Sequence, residues 1–302
     1  SCAIQNISQK SKVVISRDSD IILKSKSIDS DKLMNILDNG IQAFFNVDNP
    51  VEGWKKVVKP GEVIGLKVNC LSGPGSTHTL LVDTICEMLL EAGIKAENII
   101  IWDRQNSDLE DGKFKIRSDG KGIKCLGNDV WGFENNFEMY GSSASLVCQT
   151  LTRVCDGIIN LPVLRDHGIA GITMALKNMF GAIHNPNKFH LNVGDPYIAD
   201  VFSYPSIKNK VRLTIADAIF AQYEGGPSFM PHWRWPYAGL IIGKDPVALD
   251  CIGWQIIEDE RKKKGLKSLK EIGREPTYIA TAADQDHLLG TNDPKQIEVI
   301  NV

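Results

Sequence analysis

Cysteines are few in this sequence, and their spacing matches neither a metal-binding nor a disulfide framework. The seven cysteines of the 302-residue chain stand at positions 2, 70, 86, 125, 148, 155 and 251, and no two of them form a CxxC pair. This spacing argues against an iron–sulfur cluster or a zinc ribbon built from local cysteines. The odd number argues against a disulfide framework. Cys86, Cys148 and Cys251 fall on apolar faces, which is typical of small core residues.

Long apolar runs and strongly basic runs are also missing. No stretch of about 18 apolar residues occurs, so the sequence predicts no transmembrane segment. The formal net charge is −3, and the longest cationic run, Arg261 to Lys264, has the pattern of a solvated helix end. Nucleic-acid binding therefore has no electrostatic support.

Motifs that define several common enzyme classes are absent. The glycine-containing stretch at residues 69–78 is followed by no GK[ST] and does not match GxGxxG, which excludes a P-loop and a dinucleotide fingerprint there. No GxSxG nucleophile turn of a serine hydrolase occurs in the chain.

The chain begins Ser1-Cys2-Ala3 without a methionine, and a polar stretch follows. An exported protein cut near Cys2 has this pattern, and lipid modification of that cysteine is then expected. We therefore expect a periplasmic or cell-envelope location, with a lipid anchor on Cys2. A cytoplasmic protein with a different chain boundary is the alternative.

Strand-like apolar runs alternate with helical patterns along most of the chain. The predicted strands cover residues 12–16, 62–69, 98–103, 157–164, 211–219 and 238–244, and the predicted helices cover residues 29–45, 78–93, 144–156, 169–183 and 245–265. This alternation predicts an α/β fold with a mainly parallel sheet and helices on both faces. The length fits a single α/β unit over residues 1–302, or two halves, about 1–155 and 156–302, with a site between them.

Polar residues stand where several predicted strands end. They are Asn69 to Ser76, Asp103-Arg104, Arg165-Asp166-His167 and Asp217. Ligands of open α/β sheets bind beyond the carboxyl ends of the strands. The sequence therefore predicts the functional site at this edge of the sheet.

The stretch LPVLRDHGIAGITMALKNMFGAIHNPNKFH, residues 161–190, holds three of the six histidines and two lysines, Lys177 and Lys188, in mostly apolar surroundings. On a helix over residues 169–183, the apolar side chains form a buried stripe. Thr173, Lys177 and His184 then share a neighbouring edge, which can face a cleft.

These residue types can carry chemistry. Three imidazoles from different elements can bind a divalent transition metal, so His167, His184 and His190 are candidate ligands. A lysine in a dry or cation-rich cleft can act as a base or a nucleophile. The alternative is an exposed Lys177 among structural or solvated histidines.

Two further stretches are candidate ligand-binding segments. NCLSGPGSTH, residues 69–78, joins a strand to a helix, and its backbone N–H groups could bind an anion. The alternative is a tight turn with Thr77 as the helix cap. The segment at residues 223–237, rich in glycine, proline and aromatics, fits a loop over a ligand site or a surface excursion equally well. The candidate binding residues of these segments are Asn69, Gly73, Gly75, Ser76, Thr77 and Glu224.

INLPVLRDHGIAGITMALKNMFG closely resembles the signature of the domain of unknown function 362 family, in which N-L-P-x-x-K-x-H leads into a G-x-x-x-x-L-K-N-x-x-G helix. TIADAIFAQYEGGP and GLIIGKDPVALDCIGWQII are similar to later stretches of that family, and the resemblance covers roughly residues 60–265. Family members often carry export signals. The chain departs from the family in two places: Arg165-Asp166 replaces the usual lysine before the histidine, and the ferredoxin-like four-cysteine module of many relatives is absent.

A more distant resemblance is to the nickel-dependent lactate racemase fold. In that family a histidine, a lysine ten residues later and a further histidine hold a nickel pincer nucleotide, the lysine covalently. His167 and Lys177 have the same spacing, and His184 or His190 stands for the last histidine. The turn at residues 69–78 takes the place of the racemase D-x-T-R-P-T-P turn but lacks its aspartate and arginine. The resemblance therefore implies a shared architecture rather than a shared reaction.

These observations predict an enzyme of unassigned reaction, isomerase- or oxidoreductase-like, that acts on a small anionic substrate, with a divalent metal or metal-nucleotide cofactor in a cleft at the strand ends. The candidate catalytic residues are Lys177, Asp103 and Asn178, and the candidate metal ligands are His167, His184 and His190. Substrate or cofactor binding is assigned to Arg165, Asn69, Gly73, Gly75, Ser76, Thr77 and Glu224. The alternative is a non-catalytic ligand- or metal-binding protein of the cell envelope. The sequence defines no oligomeric state.

Overall fold

The structure, a computed structural model, describes residues 10–302. The expectation of a lipid anchor at Cys2 lies outside the described residues. The strands are β1 Ser11–Arg17, β2 Ile64–Lys67, β3 Ile99–Asp103, β4 Lys124–Gly127, β5 Glu138–Tyr140, β6 Ser143–Ser145, β7 Gly157–Asn160, β8 Val163–His167, β9 Gly171–Thr173, β10 Val211–Gln222, β11 Arg234–Gly243 and β12 Ile297–Asn301. The α-helices are α1 Ser30–Phe45, α2 Pro50–Trp54, α3 Thr79–Glu91, α4 Asn106–Asp111, α5 Asn128–Trp131, α6 Ala175–Asn178, α7 Tyr197–Phe202, α8 Pro205–Lys208, α9 Pro246–Lys263 and α10 Tyr278–Ala282.

A ten-stranded sheet forms the centre of the fold. Its main path runs β12-β1-β11-β10-β7-β2-β3-β4, and β8 pairs with β10 while carrying β9 as an antiparallel partner. The pairs from β10 through β7, β2 and β3 to β4 are all parallel, whereas β11 is antiparallel to both of its neighbours. The predicted α/β class with a mainly parallel sheet is therefore confirmed. The division of the chain into two halves stays a prediction.

Hydrophobic cores cover both faces of the sheet. Along β3, Ile99 and Ile101 belong to one core, whereas Ile100 and Trp102 belong to the other. Successive residues of a strand point to opposite faces, so the two cores lie on opposite sides. Helices α1 and α3 supply the first core, and α6, α7 and α9 supply the second. The expected helices on both faces are confirmed.

Two helices begin where their capping residues indicate. Asp29 accepts hydrogen bonds from two backbone N–H groups in the first turn of α1. Asp245 does the same for α9, which has Pro246 at its first position. These side chains satisfy N–H groups that no carbonyl of the helix can reach, so both boundaries follow from the sequence.

The predicted helix over residues 169–183 is wrong. Gly171–Thr173 forms β9, which returns along β8 as a hairpin, and only Ala175–Asn178 is α-helical before a short 3₁₀ turn. Gly171 has a φ of +78°, a left-handed conformation that an α-helix does not contain. The apolar spacing was misleading because this segment is buried on almost every side rather than along one stripe.

Two other boundaries also differ from the sequence pattern. The predicted helix over residues 144–156 contains only a π-helical turn, Thr150–Val154, preceded by β6. The predicted strand over residues 157–164 is divided at Pro162 into β7 and β8, because proline has no N–H to donate to a ladder.

The carboxyl ends of three parallel strands meet at one edge of the sheet. Lys67, the last residue of β2, pairs with Asn160 at the end of β7 and with Trp102 near the end of β3. The β8–β9 hairpin follows β7 after two residues. Side chains from β2, β3 and β8 can therefore converge at this edge.

The longest described helix, α9, has 18 residues and ends in the cationic run. Within residues 10–302, no helix combines the length and the apolar character that crossing a membrane requires.

Gly171→Ala should lower the free energy of unfolding by several kcal/mol. A Cβ at this position would lie 2.3 Å from the backbone oxygen of Arg274, so the hairpin would have to move away from the C-terminal segment. The left-handed φ adds about 1–2 kcal/mol of strain. Denaturant unfolding measures the loss. Gly61→Ala is the matched control, since Gly61 has a φ of +91° but no atom within 4 Å of a Cβ. Equal losses for the two variants would contradict the prediction.

Candidate functional site

A cavity of about 330 Å³ opens at the carboxyl edge of the sheet. Ligand pockets are typically about 300–1,000 Å³, so this volume suits a small molecule. The predicted site residues that line the cavity are Asn69, Asp103, Arg165, His167, Lys177, Asn178 and His190. Two apolar side chains, Leu71 and Ile169, also line it and are 56% and 50% exposed, which places them at its mouth.

Lys67 and Asp103 form a buried ion pair in the cavity wall. Lys67 Nζ donates to Asp103 Oδ1 at 2.8 Å and to the Val68 carbonyl oxygen at 2.6 Å. The second carboxylate oxygen of Asp103 accepts the Cys70 N–H at 2.7 Å. Both oxygens of Asp103 are thus occupied. This arrangement suits Asp103, predicted as a catalytic residue, to position Lys67 and the segment after β2.

A chain of amide hydrogen bonds connects the elements around the cavity. Asn178 Nδ2 donates to Asn160 Oδ1 at 2.7 Å, and Asn69 Nδ2 donates to Asn178 Oδ1 at 3.0 Å. Asn69 Oδ1 then accepts from Arg165 Nη2 at 2.7 Å. Each amide orients the next, so the Asn69 oxygen is directed at the guanidinium. Asn178, predicted to be catalytic, thereby fixes α6 to the ends of β2 and β7.

Arg165 is a buried cation without a carboxylate partner in the described part of the chain. The residue is 2% exposed, and its Nη1 donates to the Pro227 carbonyl oxygen at 3.1 Å. Its Nε has no hydrogen-bond partner among the described residues. Burial lowers the pKa of Arg165 to about 10, so the guanidinium remains protonated at neutral pH. An anion in the cavity would supply the missing countercharge.

Lys177 is a second buried cationic side chain without a countercharge. It is 8% exposed, and its Nζ makes no hydrogen bond or ion pair with residues 10–302. The centroid of the Phe180 ring lies 5.1 Å from Nζ. Burial, and then the charge of Arg165, lower the pKa of Lys177 to about 7. A large fraction is therefore neutral amine at neutral pH, the form that acts as a base or a nucleophile.

His167 is a neutral imidazole whose tautomer is fixed by the backbone. Its Nδ1 lies 3.1 Å from the N–H nitrogen of Ile169 and 3.1 Å from that of Ala170. Backbone N–H groups only donate, so Nδ1 is an acceptor and the ring proton is on Nε2. Burial, followed by the charge of Lys177, lowers the pKa of His167 to about 2. His167 is therefore an N–H donor.

His190 has the opposite tautomer. Its Nδ1 lies 3.3 Å from the Asn187 carbonyl oxygen, which only accepts, so Nδ1 carries the proton and Nε2 has the lone pair. The ring stacks on His167 with centroids 5.5 Å apart and an interplanar angle of 22°. Burial, and then the charge of Lys177, lower the pKa of His190. The cavity thus has one imidazole that donates and one that accepts.

The predicted three-histidine metal site is not formed. His184 is exposed, packs against Phe133 with ring centroids 5.3 Å apart and does not line the cavity, because the chain is already extended at Ile183. His167 does not fit as a ligand, since its Nδ1 accepts from the backbone whereas a ligating imidazole donates its second ring N–H. Across residues 10–302, no group of three or more His, Cys, Asp or Glu side chains is arranged to hold a metal ion.

Asn69 and Leu71 of the turn over residues 69–78 line the cavity, whereas the rest of the turn packs behind Arg165. The predicted anion-binding residues Gly73, Gly75, Ser76 and Thr77 are absent from the cavity lining. Thr77 Oγ1 donates to the Leu161 carbonyl oxygen at 2.8 Å and accepts the Asn69 N–H at 2.9 Å, so it fixes the turn, while His78 stands at the helix cap. A Cβ on Gly75 would lie 3.3 Å from Arg165 Nη1. The glycine therefore permits the turn to pack closely against the guanidinium.

Glu224, predicted to bind substrate, instead pairs with two arginines. Arg274 Nη2 lies 2.8 Å from each carboxylate oxygen, and Arg261 Nη1 donates to Oε2. Arg274 Nη1 also lies 3.5 Å from Asp166 Oδ2. Arg261 is 2% exposed, so the cationic run expected to be solvated begins with a buried residue. This network joins β8, which carries Arg165, to the C-terminal segment.

Two residues of the site, Lys67 and Asp250, were not singled out from the sequence, whereas Thr173 was placed on an edge that can face a cleft. Lys67 and Thr173 line the cavity. Asp250 of α9 accepts the Ala175 N–H at 2.7 Å and so holds the first turn of α6, which carries Lys177. Burial raises the pKa of Asp250 to about 8. The sequence signal for Asp250 is the DPVALD stretch, which lies at the start of the predicted helix over residues 245–265 and within a stretch similar to the family.

These features define a class of protein, an α/β fold with a small, cation-lined ligand cavity at the carboxyl ends of its parallel strands. The model of the family described as Domain of unknown function (DUF362) matches residues 64–255, a range that includes every cavity-lining side chain discussed above. The chain belongs to this family, as the sequence resemblance predicted.

Three individual proteins that resemble the chain have low sequence identity to it, between 13% and 24%. A thylakoid-associated protein of Synechocystis sp. is 24% identical over 298 residues, which cover 93% of this chain and 85% of that protein. A solved structure of a protein from Thermotoga maritima has a TM-score of 0.46 and 14% identity, covering 78% of this chain and 59% of that chain. The lactate racemase apoprotein from Thermoanaerobacterium thermosaccharolyticum has a TM-score of 0.38 and 13% identity, covering 61% of this chain and 48% of that chain. The chain thus spans about three fifths and one half of these two structures.

Lys177→Met should raise the free energy of unfolding at neutral pH by a few kcal/mol. Folding lowers the pKa of Lys177 from 10.5 to about 7, so the unfolded chain binds more protons between these values. The destabilisation is fully present below about pH 7 and is lost as the pH rises through the unfolded pKa. Denaturant unfolding at several pH values measures the gain, which should shrink toward about pH 10. Lys262→Met, at an exposed residue of α9, is the control and should show no such gain. A gain that does not vary with pH would contradict the prediction.

Asp250→Asn should retain more stability than Asp250→Ala. Asparagine keeps an oxygen that can accept the Ala175 N–H, whereas alanine leaves that buried N–H unpaired at a cost of about 1–3 kcal/mol. Thermal and denaturant unfolding measure the difference between the two variants. If both lose the same stability, the hydrogen bond to Ala175 is not what Asp250 contributes.

Proposed function

We propose that the chain is an enzyme that binds a small anionic compound in the cavity and transfers a proton to or from it. The observation that carries this proposal is the presence of two buried cationic side chains, Arg165 and Lys177, in one cavity without a countercharge among the described residues. Leaving a buried charge unpaired costs several kcal/mol, which a purely structural role does not explain.

The charges of the lining side chains favour an anion. The two carboxylates in the lining, Asp103 and Asp108, are each paired with a neighbouring lysine or arginine at 2.8 and 2.9 Å. Arg165 and the protonated form of Lys177 therefore account for the uncompensated charge. A carboxylate or a similar group can accept from the guanidinium in a charge-assisted hydrogen bond. Such pairs are stronger where water is scarce.

The remaining groups are suited to acid–base chemistry. A pKa near 7 gives Lys177 the proton affinity of an effective general base. His190 Nε2 supplies a second acceptor, and His167 Nε2–H supplies a donor for an oxygen that gains negative charge. The proposed roles of the two histidines are thus proton acceptor and hydrogen-bond donor instead of metal ligands. Because the donor set does not fit a divalent metal, no step of the proposal uses one.

Arg165→Gln should weaken the binding of small carboxylates at least tenfold, or about 1.4 kcal/mol. Isothermal titration with pyruvate, lactate and oxalate measures the affinities. Binding to the unaltered protein should be tighter at about pH 6 than at about pH 8, because Lys177 gains its positive charge as the pH falls through about 7. Lys262→Met is again the control. Equal affinities for the Arg165 variant and the unaltered protein would refute the proposed anion site.

Catalysis is tested separately from binding. Pyruvate and lactate, which carry C–H protons, are incubated with the protein in D₂O, and proton NMR measures the loss of their C–H signals. Exchange that depends on Lys177 supports an enzyme. Tight binding with no exchange of any compound, and no difference between the unaltered protein and Lys177→Met, would favour the alternative of a non-catalytic ligand-binding protein.

A further inference from the structure

The cavity holds two buried lysines with different surroundings. Lys67 Nζ donates to the Asp103 carboxylate at 2.8 Å, which compensates its charge. Lys177 Nζ has no such partner among residues 10–302 and lies against the Phe180 ring. An unpaired amine in apolar surroundings has an available lone pair, and lysines of this kind form imines with carbonyl compounds. Lys177 is therefore equipped for covalent chemistry, whereas Lys67 is not.

We propose that Lys177 is a nucleophile that forms an imine with a small α-keto acid whose carboxylate is bound by Arg165. The inference rests on the proposed function and specifies the substrate class of the same site. Its basis is the presence, in one cavity, of an amine and a guanidinium without a carboxylate partner among the described residues, together with an imidazole that donates and an imidazole that accepts.

The local topology brings the two anchor points together. Arg165 on β8 pairs across the hairpin with Thr173 on β9, and Lys177 follows in the short helix α6. In an α-keto acid the carboxylate carbon is bonded directly to the carbonyl carbon. A ligand held through its carboxylate by Arg165 therefore presents its electrophilic carbon next to the anchor. The cavity of about 330 Å³ leaves room for a further substituent on the keto acid.

The covalent step balances with the groups present. The Lys177 nitrogen forms a bond to the carbonyl carbon, and one nitrogen proton passes through His190 Nε2 to the former carbonyl oxygen. His167 Nε2–H donates a hydrogen bond to that oxygen as its negative charge develops. The C–O bond of the resulting carbinolamine then breaks, and the oxygen leaves as water with the second nitrogen proton. The products are a neutral imine and one water molecule, and no oxidant or reductant takes part.

Reductive trapping tests the proposal. The full chain is incubated at about pH 7, near the pKa of Lys177, with pyruvate or glyoxylate and sodium cyanoborohydride. Intact mass spectrometry and peptide mapping measure the reduced adduct. We expect one adduct at Lys177, formed at least tenfold faster than any adduct on exposed lysines such as Lys262. Lys177→Met should abolish it, and Lys262→Met should leave it unchanged. Circular dichroism checks that each variant is folded.

Two further comparisons address the role of the carboxylate. Arg165→Gln should slow labelling at least tenfold at low keto-acid concentration, since the anchor is lost. Lactate carries the same carboxylate with a hydroxyl in place of the keto oxygen, so it should protect Lys177 from labelling without forming an adduct.

The outcomes separate this inference from the proposed function. Calorimetric binding of pyruvate or glyoxylate without an adduct at Lys177 would overturn the imine and leave the anion site intact. Adducts spread evenly over exposed lysines would also overturn it. Failure of every carboxylate to bind would overturn both proposals.

Discussion

The burial of Arg165 without a carboxylate partner among the described residues is the constraint around which the cavity is arranged. Its position is set by neutral groups, the Asn69 amide and the Pro227 carbonyl oxygen, which orient the guanidinium but do not cancel its charge. The Asn69 amide is in turn oriented through Asn178, so β2 and α6 must both be in place before the arginine is held. A carboxylate in the position of the Asn69 amide would pair with the guanidinium permanently. Amide partners leave it stably positioned and still able to bind an anion.

Residues of the same type have different roles in the cavity because their neighbours differ. Lys67 is paired with a carboxylate, whereas Lys177 has no such partner among residues 10–302 and has a lowered pKa. His167 and His190 stack on each other, but two N–H groups fix one as a donor and a carbonyl oxygen fixes the other as an acceptor. The properties of each side chain in the site are thus determined by the neighbouring groups that it contacts, a carboxylate for Lys67 and backbone groups for the two histidines. The network of Glu224 and its arginines acts at a distance, by holding the strand that carries Arg165.

The sheet, the capped helices and the edge where the site lies could be predicted from local patterns. Asp29 and Asp245 mark helix starts through hydrogen bonds to their own first turns, and polar residues after buried strands indicate the carboxyl edge. The segment around Lys177 could not be predicted in the same way. Its apolar residues are buried on several sides, so their spacing resembles that of an amphipathic helix. Such a helix would place His184 beside Lys177, whereas His184 is exposed. The tautomers of His167 and His190 depend on hydrogen bonds that spacing does not encode.

Leu71 and Ile169 expose apolar surface at the mouth of the cavity. Water that surrounds apolar surface raises the heat capacity of the protein in solution, so the heat capacity falls when a ligand displaces that water. A ligand that reaches from Arg165 to the mouth therefore combines an electrostatic anchor with a hydrophobic contact. Its binding enthalpy becomes more favourable as the temperature rises, which an ion pair with Arg165 alone would not produce. The temperature dependence of binding thus reports how far along the cavity a ligand extends.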